Sequence, residues 1–328
     1  MERIMKLLRY KSKLCILSTA VFLVMVPLMA NAQLVTGLQG AQGSTIGPDG
    51  ALYVTEGAVG RVSRVDPMTG EVTTFAEGLP PSLIGIGGAS DVEFIDDTAY
   101  VLVTMVGFPF NFAGIDGLYR IDGPDSYTII ADIGTWSSNN PPATPFDLPN
   151  GVHYALEKYR GGLLVTDGHL NRLLWVSEYG DIVEFMAFDN IVPTGLEVHG
   201  NRVYMGQAGP SPHLPEDGLV VMFDAKSPVV TEVASGAPLI VDVEFGLGRT
   251  LYALAQGEWD GSFPGAPSLP FTGSLLEVNA DGSMTEVAGP LNLPTSVEFI
   301  GNTAYVVTLT GEIWVIEDVS SPPFGRKN

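Results

Sequence analysis

Thr295-Ser296-Val297-Glu298-Phe299, followed closely by Thr303-Ala304-Tyr305-Val306, is the stretch that decides the fold. Apolar and polar residues alternate with the period of a strand, one carboxylate stands between two large apolar side chains, and a second strand returns after a short turn. The same unit recurs as Ser90-Asp91-Val92-Glu93-Phe94 before Ala99-Tyr100-Val101, and as Val241-Asp242-Val243-Glu244-Phe245 before Leu251-Tyr252-Ala253. Weaker copies are Thr194-Gly195-Leu196-Glu197-Val198 and Asn150-Gly151-Val152-His153-Tyr154, and a degenerate first copy is Gly43-Ser44-Thr45-Ile46. Self-similarity at a spacing of tens of residues is the mark of a repeat architecture.

Each copy is followed by two more strand-like segments. After the first come Arg61-Val62-Ser63-Arg64-Val65, the turn Pro67-Met68-Thr69-Gly70, and Glu71-Val72-Thr73-Thr74-Phe75. The sixth copy has a third strand through Ile313-Trp314-Val315-Ile316 but runs into Ser320-Ser321-Pro322-Pro323 with no fourth. A spare segment at 33–38 can supply it and close a ring, which removes the open sheet edge of a linear array. The sequence therefore predicts an all-β, six-bladed propeller of four-stranded antiparallel blades, one domain over 33–319, with a tail at 320–328.

Residues 1–32 read as a leader. Arg3, Lys6, Arg9, Lys11 and Lys13 precede an apolar run from Leu14 to Met29, and Ala30-Asn31-Ala32 supplies the small residues of a signal-peptidase site. Cleavage after Ala32 and a secreted or periplasmic location are expected, with no stable membrane insertion afterwards. The only cysteine, Cys15, lies in that leader, so disulfides play no part in the body. The whole chain carries a formal charge of −21, and losing a basic leader makes the body more acidic still. Such a surface repels phosphate backbones, which excludes nucleic acid as a partner.

In a propeller the loops from strand four to the next blade, and from strand two to strand three, open on one face. All the long loops here, 80–89, 105–116, 135–149, 207–217 and 256–272, sort to that face, and long loops are where function concentrates. Phe108, Phe110, Phe112, Trp136, Phe146, Trp259, Phe263 and Phe271 give it aromatic surface, and Asp116, Asp147, Glu216, Asp217, Glu258 and Asp260 give it acceptors. Aromatic faces with polar anchors suit a small molecule, a glycan or a protein partner. Packing of the aromatics on one another is the plainer alternative.

Aligning the copies sets Thr45, Glu93, His153, Glu197, Glu244 and Glu298 at one inner-strand position. Charges there must face channel water, because burial without a partner costs several kcal/mol. The ring is either a hydrated polar channel or a site for calcium or another divalent cation, whose oxygen ligands it would supply. Gln42, Ser90, Asp91, Asn150, Thr194, Asp242 and Thr295 are expected around the channel mouth. No Rossmann glycine pattern, phosphate loop or nucleophile elbow stands in its strand-to-helix context.

Gly-Pro-Asp-Gly-Ala-Leu-Tyr-Val-Thr-Glu (47–56), Gly60-Arg61-Val62-Ser63-Arg64, Gly134-Thr135-Trp136 with Asn139-Asn140-Pro141, and Leu164-Val165-Thr166-Asp167 together resemble the ScyD/ScyE family of exported, NHL-like propellers. The resemblance implies the propeller, export, and a link to pathways making pigments of the scytonemin type; it implies no catalytic residues. More distantly the chain is similar to gluconolactonase/regucalcin propellers. That likeness implies a divalent metal at the channel mouth, with Asn150 in the asparagine position and Asp242 or Asp91 in the aspartate position. The usual early glutamate is replaced by Gln42 or Gly43. Two functions follow: a non-catalytic binding or scaffold propeller, or a metal-dependent hydrolase or lactonase.

Overall fold

A computed structural model describes residues 31–320 apart from 111–113, 144–145, 147 and 225–226. The chain opens with β1 (Asn31–Val35). Blade 1 is β2 (Ala41–Ile46), β3 (Leu52–Glu56), β4 (Arg61–Val65) and β5 (Val72–Ala76). Blade 2 is β6 (Gly88–Ile95), β7 (Thr98–Thr104), β8 (Gly117–Gly123) and β9 (Ser126–Asp132). A short helix α1 (Ile133–Asn139) leads to blade 3: β10 (His153–Lys158), β11 (Gly162–Asp167), β12 (Arg172–Ser177) and β13 (Ile182–Ala187). Blade 4 is β14 (Pro193–His199), β15 (Arg202–Gln207), β16 (Leu219–Asp224) and β17 (Ser227–Ser235). Blade 5 is β18 (Ile240–Phe245), β19 (Leu251–Ala255), β20 (Gly273–Val278) and β21 (Met284–Leu291). Blade 6 is β22 (Pro294–Ile300), β23 (Thr303–Thr308) and β24 (Ile313–Ile316), and β1 pairs antiparallel with β24 to complete it. The fold is the six-bladed propeller that the repeats predict.

Two boundaries move. The closing strand is 31–35 rather than 33–38; Leu38 instead donates its amide to the Gly311 carbonyl at 3.1 Å. The expected leader cut after Ala32 therefore falls inside β1, where Ala32 pairs with Val315. The segment expected as a plain loop at 135–149 opens with α1, whose first turn is capped by the Asp132 carboxylate accepting from the Thr135 amide at 2.9 Å. The expected leader through residue 30, Phe112, Asp147 and residues 321–328 lie outside the described residues.

The core is divided among the blade interfaces. Val62, Val92 and Val101 share one apolar cluster between blades 1 and 2, and Val35, Leu52 and Tyr305 share another where blade 6 meets blade 1. The repeated Val-Glu-Phe unit makes these interfaces. Its phenylalanine packs on the tyrosine of the preceding blade's second strand: Phe94 on Tyr53 at 4.8 Å, Phe245 on Tyr204 at 5.0 Å, and Phe299 on Tyr252 at 4.8 Å between ring centroids. Such pairs add about 0.5–1.5 kcal/mol each beyond the area they bury. The glutamate between them is left to face the axis.

Candidate ligand cavity at the channel mouth

The strand register fixes which side chains form the ring. Thr45 pairs with Tyr53, Glu93 with Tyr100, Glu197 with Tyr204, Glu244 with Tyr252 and Glu298 with Tyr305. In blade 3 the residue at that level is Glu157, paired with Leu164, and not His153, which pairs with Asp167 at the other end of β10. The ring is thus one threonine and five carboxylates. The spacing was there to find: Glu93, Glu197 and Glu298 each precede their partner by seven residues, as Glu157 does. Aligning the blade-3 copy on Asn150-Gly151-Val152-His153-Tyr154 set it four residues early.

All five carboxylates are held above their usual range. Burial is the first cause for Glu157, Glu244 and Glu298, and repulsion from the other ring members adds to it. Glu197 rises to about 7, burial again leading, although a hydrogen bond with Glu244 favours its ionised form. Glu244 is pushed up in the same pair and keeps the proton. Glu93 is raised by burial, with Thr45 Oγ1 donating to it at 3.0 Å.

One step toward the mouth, Asp91 and Asp242 hold the blades together. In each of the inner strands β6, β10, β18 and β22 the pairing register shifts near this level, as at a β-bulge. Asp91 accepts from the Leu156 amide of blade 3 at 2.7 Å and from Val92 at 2.8 Å. Asp242 does the same to Val297 of blade 6 and to Val243, both at 2.9 Å. The two aspartates stand in blades three apart and are related as halves of the ring. Burial drives both upward, Asp242 to about 7, and Asp242 and Glu93 add repulsion at Asp91.

Above this floor the mouth opens into a cavity of about 640 Å³ bounded by residues of all six inner strands. Its walls include Ile86, Met105, Phe146, Leu148, Val192, Leu239, Pro264 and Leu309, and its polar groups include His169, Asn171, Asn190, His213 and Gln256. Among the described residues six carboxylates, Asp91, Glu93, Glu157, Asp242, Glu244 and Glu298, line it, and no lysine or arginine does.

Of the expected mouth residues, Gln42, Ser90, Asp91, Thr194, Asp242 and Thr295 all line this cavity. Several are already engaged between blades: the Gln42 amide donates to the Gly87 carbonyl at 2.8 Å, and Thr194 Oγ1 to the Ile240 carbonyl at 2.9 Å. Asn150 is not with them. It sits in a separate depression with Asp116, Asp132, Thr135 and Ser138, where its Oδ1 accepts from Ser138 Oγ at 2.6 Å. Asn150 and Asp242 therefore do not share a site. Among the described residues no group of three or more His, Cys, Asp or Glu is arranged to hold a metal ion.

His153 is wholly buried beside the mouth cavity. Its Nε2 lies 4.0 Å from Asp167, which also faces Arg172 Nε at 3.5 Å. Burial pushes the imidazole down and keeps it neutral. Arg172 in turn lies over the Trp136 ring at 5.1 Å and donates to the Asn140 carbonyl at 2.7 Å, so Trp136 anchors α1 rather than facing a ligand. Trp259 meets the His213 ring edge-on at 5.5 Å, and Phe146 meets His169 likewise. Phe108, Phe263 and Phe271 remain exposed on the loops and Phe110 is half-buried. His169, Asn171, Asn190 and His213 were not singled out from sequence, because they lie in loops without periodicity.

No protein-family profile matches the sequence, and no curated protein sequence does. The fold is shared with solved structures of low identity. A gluconolactonase from Xanthomonas campestris superposes with a TM-score of 0.62 at 10% identity, over 87% of this chain and 89% of that one. The aldose sugar dehydrogenase of Streptomyces coelicolor, solved with PQQ, gives 0.58 at 14%, over 88% and 98%. An inactive virginiamycin B lyase from Staphylococcus aureus, solved with quinupristin, gives 0.56 at 13%, over 88% and 99%. At these identities the likeness establishes the propeller and nothing about chemistry.

Proposed function

We propose that this is an exported binding propeller that takes a small molecule with an apolar body and a cationic head in the mouth cavity. One observation carries the reading: a cavity of about 640 Å³ with apolar walls has, among the described residues, six carboxylates on its lining and no lysine or arginine. Apolar walls with a few directional polar groups are what small-molecule pockets need. A cation entering this cavity favours the ionised carboxylates and relieves their mutual repulsion, whereas an anion is opposed by every one that is ionised. Neutral polyols and glycans gain from the protonated carboxyls but forgo the charge term.

A thermal-shift series of aryl-alkyl ammonium compounds, the matching alcohols and the matching carboxylates tests this. Ammonium compounds should raise the melting temperature in a concentration-dependent way, as any ligand of the native state does. Glu298→Gln with Asp242→Asn should reduce the shift. Equal shifts from ammonium and carboxylate, or none from either, refute the reading. The metal-dependent hydrolase alternative loses the pair it was centred on, since Asn150 and Asp242 lie in different spaces.

A further inference from the structure

The β15–β16 loop carries two side chains that ligand binding does not call on. Pro210-Ser211-Pro212-His213 is a turn closed by the His213 amide donating to the Pro210 carbonyl at 2.7 Å. It brings Ser211 Oγ to 3.5 Å from His213 Nε2. On the far side of the ring, Nδ1 lies 3.2 Å from the Ala208 carbonyl oxygen. A carbonyl can only accept, so in the neutral imidazole the proton sits on Nδ1 and the Nε2 lone pair faces the hydroxyl. The edge of Trp259 fixes the plane of the ring at 80° to its own. His213 is 8% exposed while Ser211 is open to solvent, and both line the mouth cavity.

A hydroxyl in front, a buried base behind it, and a third group that orients the base make a nucleophile's constellation. The 3.5 Å separation is long for a resting hydrogen bond, and such contacts tighten when substrate arrives. The geometry points to Ser211 and His213 as a nucleophile–base pair that hydrolyses uncharged or cationic carboxylic esters small enough to enter the cavity. Ser211 Oγ bonds to the acyl carbon as its proton passes to Nε2. The acyl–alkoxy bond then breaks, and the alcohol leaves with that proton. Water attacks the acyl-serine, giving a proton to Nε2, and this proton returns to Oγ as the acid departs. Ionised members of the carboxylate lining then repel the carboxylate product and favour its departure.

The assignment shares the cavity with the binding reading but does not need a cationic ligand. Its test is labelling of the full chain with a neutral alkyl fluorophosphonate. Oγ bonds to phosphorus, the P–F bond breaks, fluoride leaves, and the proton goes through Nε2 to solvent. Peptide mapping should place the adduct on Ser211, and Ser211→Ala should abolish it. His213→Asn keeps a donor for the Ala208 carbonyl but no base, and should label at least about 100-fold more slowly. Should that variant melt early, Ser211→Cys is the second probe: beside His213 the thiol should react with iodoacetamide faster than Ser262→Cys on another exposed loop. No adduct on Ser211, wild-type labelling of folded His213→Asn, or equal alkylation of the two cysteines overturns the pair. Ammonium binding that persists in Ser211→Ala leaves the binding reading standing whichever way the labelling falls.

Discussion

Gly43 and Gly195 are placed where a side chain would strike the two inter-blade aspartates. A Cβ on Gly43 would lie 2.1 Å from Asp91 Oδ1, and one on Gly195 2.3 Å from Asp242 Oδ1, each also within contact of the aspartate backbone. Gly195→Ala should therefore lower stability by about 1–3 kcal/mol, the cost of overpacking, read as a shift in the urea midpoint at unchanged slope. The phenylalanine of the repeat unit has a different task. Phe94 is 8% exposed between Tyr53 and Phe75, and Phe94→Ala should cost about 3–5 kcal/mol. Both aspartates, both glycines and the phenylalanines were legible as members of a repeat. Their tasks were not, because a hydrogen bond from Asp91 to Leu156 joins residues far apart in the chain.

Among the elements, the six inner strands and the closing strand carry the consequences. The ring carboxylates and the two aspartates are raised in the folded protein, so above the unfolded carboxylate value of about 4 the native state holds protons that the unfolded chain gives up, through about 7 for Glu197 and Asp242. Their contribution is full at low pH and fades as pH rises through that window. Glu56 runs the other way: burial raises it, but Arg61, Ser63 and the Gln39 amide outweigh burial and hold it down, so its contribution is lost on acidification. Asp49, Asp66, Asp122, Asp260 and Asp281 are lowered too, but like Glu56 they act only below the unfolded carboxylate value. Buried His153, held below its ordinary 6.5, opposes the ring as pH rises. The seven raised carboxylates outnumber it, and the melting temperature should fall from pH 5 to pH 8. Glu197→Gln, which fixes the protonated shape, should raise the melting temperature at pH 8 and leave it nearly unchanged at pH 5. A melting temperature that climbs over the same range in both proteins would contradict the ring. Deleting residues 1–36 removes β1, leaves β24 as an open edge and takes Val35 from the core; lower thermal stability and concentration-dependent aggregation should follow, visible by light scattering.

For the whole molecule, closure of the ring was readable from a missing fourth strand and a spare first one. That the long loops gather at one channel mouth was readable from loop lengths alone. What escaped the sequence was the joint effect: which loop side chains meet above the floor, and that Asn150 turns away from it into its own depression. Those relations belong to strand register and loop packing, which no single segment encodes. The assembled molecule places raised carboxylates beneath an apolar mouth, and a cation bound there must drive protons off them. Calorimetric titration of an aryl-alkyl ammonium compound at pH 7, in two buffers of different ionisation enthalpy, reads that release directly. The expected result is saturable binding with net proton release, reduced in Glu298→Gln. Saturable binding with no proton exchanged, or no binding at all, would contradict a cation held over the carboxylate ring.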